Sequence, residues 1–216
     1  SFGLTPTGPF RSSRRYLDAT NVLETSFQTA SGELVLTDLM PVTSESEKRR
    51  LLWPDHQLLR RLECLRGEVE LELTFRPRPG FGRGRVRWRD AGSLGLRAES
   101  AQGLLTLRSE LPLSAPQGGE LRGRFLLRAG DRRHFSLTFD DAFPAVLPPL
   151  ALSQEAIDRT VAWWRAWSAR LTYSGPCRQT VLRSALALKL LVFAPSGAIV
   201  AAPTTSLPER LGGDLN

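Results

Sequence analysis

Glu68-Val69-Glu70-Leu71-Glu72-Leu73-Thr74-Phe75 decides the fold class. Apolar and polar residues alternate there with a period of two, which an extended strand turns into one dry face and one wet face. Working outward, Leu58 to Leu65 reads as the preceding strand, with Arg66-Gly67 as the turn between the two. Residues 76–84, crowded with proline and glycine, exclude regular structure. Further along, Val86 to Trp88, Leu94 to Ala98, Leu104 to Ser109, Gly123 to Arg128 and His134 to Phe139 read as short strands. Upstream, Asn21 to Thr29 and Leu34 to Leu39 form a hairpin around Ala30-Ser31-Gly32-Glu33. Residues 1–15 read as a loop or edge segment, and 43–56 as a charged loop. No helical pattern separates the strands, so the sequence predicts an antiparallel β-sandwich rather than βαβ units.

The pattern changes after Pro144, Pro148 and Pro149. Ser153 is placed to cap a helix, with Glu155 in its first turn. Ile157, Val161, Trp164, Trp167 and Leu171 then recur at helical spacing, with Trp163 widening the stripe, so a helix is predicted over 153–172. A second helix is predicted over 176–194. Pro176 suits its start, Leu and Ala fill it, and Pro195 and Gly197 stop it. Its apolar residues, from Val181 and Leu182 to Val192 and Phe193, occupy nearly every face, so it needs neighbours on all sides. With only one other long helix in 216 residues, the sequence predicts that the chain belongs to a longer polypeptide. The expected organisation is a β-sandwich over 1–143, a linker and tryptophan-rich helix over 144–175, and the start of a helical domain over 176–216.

Val181 to Gly213, VLRSALALKLLVFAPSGAIVAAPTTSLPERLGG, resembles the segment that opens the catalytic domain in bacterial members of glycoside hydrolase family 15, the glucoamylase-like and trehalase-like six-hairpin enzymes. Tyr16-Leu17-Asp18-Ala19-Thr20-Asn21-Val22-Leu23-Glu24-Thr25 and Gly32 to Pro41 are similar to the N-terminal β-sandwich of the same family. The resemblance implies a mainly β chain with C-terminal helices. It would comprise an antiparallel β-sandwich of the super-sandwich type, a linker helix and the first helix of an incomplete (α/α)6 barrel. It implies an inverting glycosidase acting on α-glucosidic bonds of trehalose or α-glucan oligosaccharides. Both catalytic glutamates of the family come from segments beyond position 216, so no catalytic residue is expected in this chain, which is expected to be inactive alone. The downstream helical domain, or another chain, is expected to cover 176–200. Thr204, Thr205, Ser206, Pro208 and Glu209 match the loop at the rim of the family's sugar pocket. Plain positioning of that loop by Pro203 and Pro208 is the alternative. For the chain as a whole, the other class is a stand-alone β-sandwich module that binds carbohydrate or a protein partner.

Composition narrows the remaining classes. The net charge is +7, and of 29 basic residues only Lys48 and Lys189 are lysine. The arginines are scattered, and their densest group (Arg83, Arg85, Arg87, Arg89) has no nucleic-acid motif beside it, so no nucleic-acid partner is expected. No apolar run reaches membrane-spanning length, and the first residues lack a signal-peptide layout. Cys64 and Cys177 sit far apart without CxxC or Cys/His neighbours, and His56 and His134 are isolated. Neither metal nor cofactor is expected, and free thiols point to a reducing, cytoplasmic setting. Among the acids, Glu24 and Asp38 lie on facing strands of one hairpin, and are read as solvated or ion-paired rather than catalytic. Asp90 and Glu209 are the other single candidates. Asp140-Asp141 is read as a surface turn rather than a cation site. Trp163, Trp164 and Trp167 are read as packing residues rather than sugar platforms.

Overall fold

The computed structural model describes residues 1–51, 53–141, 145–194 and 196–201. Ten strands precede two long helices: β1 (Phe2–Pro6), β2 (Phe10–Tyr16), β3 (Leu23–Thr29), β4 (Gly32–Leu39), β5 (His56–Phe75), β6 (Arg87–Asp90), β7 (Leu96–Ser100), β8 (Gly103–Ser109), β9 (Leu121–Arg128) and β10 (Arg132–Asp140). A short helix, α1 (Glu45–Leu51), interrupts them after β4, and α2 (Ser153–Ser168) and α3 (Arg178–Leu190) follow. The protein is mainly β with C-terminal helices, as the alternation predicts. Every strand pairing is antiparallel. Among the described residues, nothing between 57 and 128 is α-helical.

The segment predicted as two strands with a turn at Arg66-Gly67 is one strand of 20 residues. Gly67 does depart from extended geometry, with φ at +64°, but the departure is a bulge and not a reversal. Cys64 pairs with Leu34 and Arg66 with Glu33, which leaves Leu65 as the extra residue on β5. Such a bulge bends a strand and increases its twist. Here it changes the strand's partners. Before it, β5 lies between β4 and β10 in a layer ordered β2-β3-β4-β5-β10-β8-β7-β6; beyond it, the same strand lies between β1 and β9. Leu71, Leu73, Leu121 and Leu127 from the second layer and Leu34, Leu62, Leu107 and Phe135 from the first are all buried in one cluster. The odd positions of the opening octapeptide are its contribution: Val69, Leu71, Leu73 and Phe75.

One sequence expectation holds in part and another fails. Residues 1–15 are edge strands and not a loop: β1 and β2 occupy them up to Tyr16, with Gly8 and Pro9 between the two and Pro6 as the last residue of β1. The charged 43–56 segment contains α1, started by a capping box. Ser44 Oγ accepts the Glu47 N–H at 3.3 Å, and Glu47 Oε2 accepts the Ser44 N–H at 3.2 Å.

The chain divides into two units, residues 1–17 with 22–163, and 18–21 with 164–216. Within the first unit, the opening turns of α2 cover the outer face of the larger layer. Thr160 Oγ1 accepts the Val42 N–H at 3.2 Å, and Arg61 Nη1 donates to Gln154 Oε1 at 3.3 Å. Ser153, Ala156, Ile157, Thr160, Trp164 and Ser168 form the buried stripe of α2, which ends at Ser168, four residues earlier than predicted.

Within the second unit, residues 18–21 of the β2–β3 connection are held by helical side chains. Ser168 Oγ donates to Ala19 O at 2.8 Å, and Arg183 Nη1 donates to Thr20 O at 2.8 Å. Asn21 Nδ2 donates to Leu186 O at 3.0 Å, while Arg183 Nη2 donates to Asn21 Oδ1. The helix α3 begins two residues later than predicted and buries only Leu182 and Leu186. Past its end, Phe193 N–H donates to Ala198 O and Val200 N–H to Leu191 O, so the chain doubles back. Leu188, Leu190, Phe193 and Ile199 remain 54–61% exposed.

Gly67→Ala tests the bulge. A Cβ there meets Ser31 O at 2.0 Å and requires a left-handed backbone from an L side chain. The expected loss is about 3 kcal/mol or more, read as a lower denaturation midpoint in urea.

Candidate functional site

The acids singled out in the sequence are mostly committed to structure. Glu24 stands opposite Thr37, and Asp38 opposite Leu23, so the two carboxylates leave opposite faces of their hairpin. Glu24 accepts from Arg15 Nε and Nη2 at 3.0 and 2.9 Å. Asp38 accepts Arg60 Nε and Nη2 at 2.7 and 3.0 Å, a fork-to-fork pair. Arg60 is buried, donates also to Phe2 O at 2.7 Å, and lies 4.6 Å from the centre of the Phe2 ring. Both carboxylate oxygens of Asp38 are thus engaged by one guanidinium. Asp140, at the end of β10, has its carboxyl raised above the ordinary range by burial. Its Oδ2 is shut from solvent without a partner among the described residues.

Other candidates resolve similarly. Trp164 is buried and meets Trp167 edge to face, with centroids 6.2 Å apart, so neither presents a free stacking pair. His134 is buried between Glu110, 3.0 Å from its Nδ1, and Gln154, 3.5 Å from its Nε2. Cys64 and Cys177 are free thiols. Burial pushes the Cys64 thiol up. Among the described residues no group of three or more His, Cys, Asp or Glu is placed to hold a metal ion. No helix among them is long and apolar enough to cross a membrane. Thr204, Thr205, Ser206, Pro208 and Glu209 lie outside the described residues.

What the fold does bring together is a cleft of about 530 Å³ in the first unit. One wall is the β6–β7 hairpin with Trp88, Asp90 and Ser93; the other is the end of β8 and the segment after it, with Arg108, Ser109 and Ser114. Leu96, Leu111 and Leu113 form its apolar lining. Trp88 is fixed edge to face on Phe75 at 5.9 Å. Asp90 Oδ1 accepts the Gly92 N–H at 2.8 Å, which sets the hairpin's turn. Arg108 Nη1 donates to the carbonyls of Pro148 at 2.5 Å and Leu147 at 3.4 Å, and burial lowers its guanidinium from the ordinary value. Sequence reading takes Asp90 as a lone acid and Trp88 as part of an arginine-rich patch. Nothing in the spacing joins them to Arg108, because the junction is made by strand order β8-β7-β6.

No family model matches the chain. Among curated proteins it is similar to the trehalase of Mycolicibacterium smegmatis, 32% identical over all of this chain and 35% of that protein. It matches the trehalase of Mycobacterium tuberculosis at 32% over all of this chain and 34% of that protein. The trehalase of the archaeon Thermoplasma volcanium is 29% identical over 93% of this chain and 31% of that protein. The chain resembles trehalases along its whole length. It spans about a third of the length of these curated relatives. Among solved structures, a putative kojibiose phosphorylase from the human microbiome overlaps 86% of this chain and 27% of its own, at TM-score 0.42 and 13% identity, a slight likeness.

The Asp140 carboxyl gives a pH test. Because burial raises it, the folded chain holds this proton more tightly than the unfolded chain, so its contribution to stability falls as pH rises through the window above the ordinary carboxyl value. Asp140→Asn is expected to raise the melting temperature at pH 7, with the gain vanishing once pH falls below that ordinary value. Thermal unfolding across pH checks it; an unchanged or lower melting temperature at pH 7 contradicts it.

Proposed function

We propose that this chain is the non-catalytic β-domain and the first helices of an inverting glycoside hydrolase of family 15, acting on the α-glucosidic bond of trehalose. The observation that carries the reading is the full-length match to trehalases that are about three times as long. Two carboxyl groups are needed for such hydrolysis, one as acid and one as base across the scissile bond. Within the described residues Glu24 and Asp38 are held by arginines and leave opposite faces, which favours a catalytic pair supplied from outside this chain. On this reading residues 1–143 are the β-sandwich, 144–175 the linker and tryptophan helix, and 176–216 the opening of an (α/α)6 barrel. Thr204, Thr205, Ser206, Pro208 and Glu209 form the rim of its sugar pocket, and the enzyme works in the cytoplasm, where Cys64 and Cys177 stay reduced.

The exposed row Leu188, Leu190, Phe193, Ile199 and Val200 supports the same assignment. Removing about 400 Å² of such surface from water is worth on the order of 10 kcal/mol, comparable to the stability of a whole domain. The helical domain is the natural cover.

Purified as 1–216, the chain is expected to release no glucose from trehalose, maltotriose or isomaltose. The polypeptide carrying the helical domain is expected to hydrolyse trehalose with one product glucose emerging as the β-anomer, seen by proton NMR. Turnover by the 216-residue chain that disappears on mutating one of its own acids would overturn the assignment.

A further inference from the structure

The connection from β5 to β6, residues 76–86, runs Arg-Pro-Arg-Pro-Gly-Phe-Gly-Arg-Gly-Arg-Val. At its turn stands an apolar side chain that no described residue covers. Phe81 is 90% exposed, while the other exposed large apolar side chains among the described residues reach at most 61%. The turn that presents it is a defined one. Arg83 N–H donates to Gly80 O at 3.1 Å, and Gly84 N–H donates to Pro79 O at 3.0 Å. Gly80, Phe81 and Gly82 all have positive φ, at 56°, 57° and 86°.

Phe81 therefore costs the fold twice. An L side chain in the left-handed region is strained, and its ring stands in water. The glycines on either side adopt the same region without a side chain, and a third glycine would remove both costs. A strained, exposed ring with no return inside the chain points to a surface outside it.

The surrounding charge decides what kind of surface. Arg76, Arg78, Arg83, Arg85, Arg87 and Arg89 are all exposed, and residues 76–89 contain no acid. Elsewhere arginines find carboxylates across the strand pairings, as Arg124 does with Glu72 and Arg132 with Glu63. Among the described residues only Arg89 of the six forms an ion pair, with Glu99 at 3.4 Å. Arginines thus flank an apolar apex on both sides in sequence. An anionic bilayer presents the matching order, negative headgroups over an apolar layer, and a basic cluster and an inserted ring each add to binding there. A single nucleic-acid strand also offers phosphates, but it is held by a succession of rings along a groove. The other aromatic of this stretch, Trp88, is half-buried and set edge to face on Phe75.

We infer that residues 76–89 are a peripheral docking element for an anionic lipid surface, with Phe81 entering the boundary between headgroups and acyl chains and the arginines meeting the headgroups. The inference uses residues of the first unit alone and stands apart from the hydrolase assignment.

The test is co-sedimentation of the 216-residue chain with phosphatidylcholine vesicles made with and without phosphatidylglycerol. Binding is expected only to the vesicles containing phosphatidylglycerol, and is expected to fall as salt rises. Phe81→Gly should weaken it on the order of tenfold without lowering the urea midpoint, because glycine relieves the backbone. Phe81→Trp should keep it. Replacing Arg78, Arg83 and Arg85 together by glutamine should weaken it on the order of a hundredfold. Every variant retains the exposed Leu188 and Leu190 of α3, so adsorption through those residues would survive the substitutions and overturn the inference. Equal binding to the neutral vesicles would also overturn it, as would binding to single-stranded DNA with none to phosphatidylglycerol vesicles. None of these outcomes bears on glucose release, so the two readings fail separately.

Discussion

The bulge at Leu65 to Gly67 is the constraint on which the sheet depends. A 20-residue strand that stayed flat would hold all its neighbours in one layer and leave Val69, Leu71, Leu73 and Phe75 facing water. With one residue inserted and Gly67 in the left-handed region, the strand serves two layers, and its own second half packs against what its first half supports. The geometry is held by backbone groups that close in on the bulge. Glu68 N–H donates to Ser31 O at 3.0 Å, and Ala129 N–H to Gly67 O at 2.8 Å. Two connections, the β3–β4 turn at Ser31 and the β9–β10 turn at Ala129, converge on this glycine, and the Ser31 carbonyl, 2.0 Å from where a Cβ would sit, leaves no room for a side chain.

Strand existence was legible because the octapeptide 68–75 and its neighbours carry a clean period of two, and burial follows it residue by residue. The bulge was not, since Arg-Gly reads equally as a reversal, and only the residues opposite it, Glu33 and Leu34, distinguish the two. The short helix α1 had a signal in Ser44-Glu45-Ser46-Glu47, but the surrounding charge masked it. In α3 the apolar composition foretold more apolar surface than the described residues bury, with Leu188 and Leu190 exposed. Composition alone did not tell which two residues, Leu182 and Leu186, would be covered.

The cleft was illegible for a different reason. Trp88 and Arg108 are twenty residues apart in sequence and become neighbours through two antiparallel pairings, β6 with β7 and β7 with β8. Neither residue type is unusual in an arginine-rich chain. What marks them is a shortage of protein partners, a property of assembled structure and not of pattern. The same holds for a row across the outer face of the larger layer. Gln57, Thr138, Thr106 and Arg97 stand side by side on four adjacent strands, and Gln57, Thr106 and Arg97 each keep a buried polar atom without a partner among the described residues. Strand patterning places Thr138, Thr106 and Arg97 in strands, begins one residue after Gln57, and says nothing of the row.

The grip on residues 18–21 has a consequence for how the chain is made. The bond from Asn21 to the Leu186 carbonyl joins residues 165 apart in sequence. On a ribosome the β2–β3 connection leaves the exit tunnel long before its partner is translated. Contacts of such wide separation close late and slow the search for the native state. The first hairpin must therefore hold its shape by local pairing while Thr20, fully buried at the end, waits in solvent for Arg183 to be synthesised.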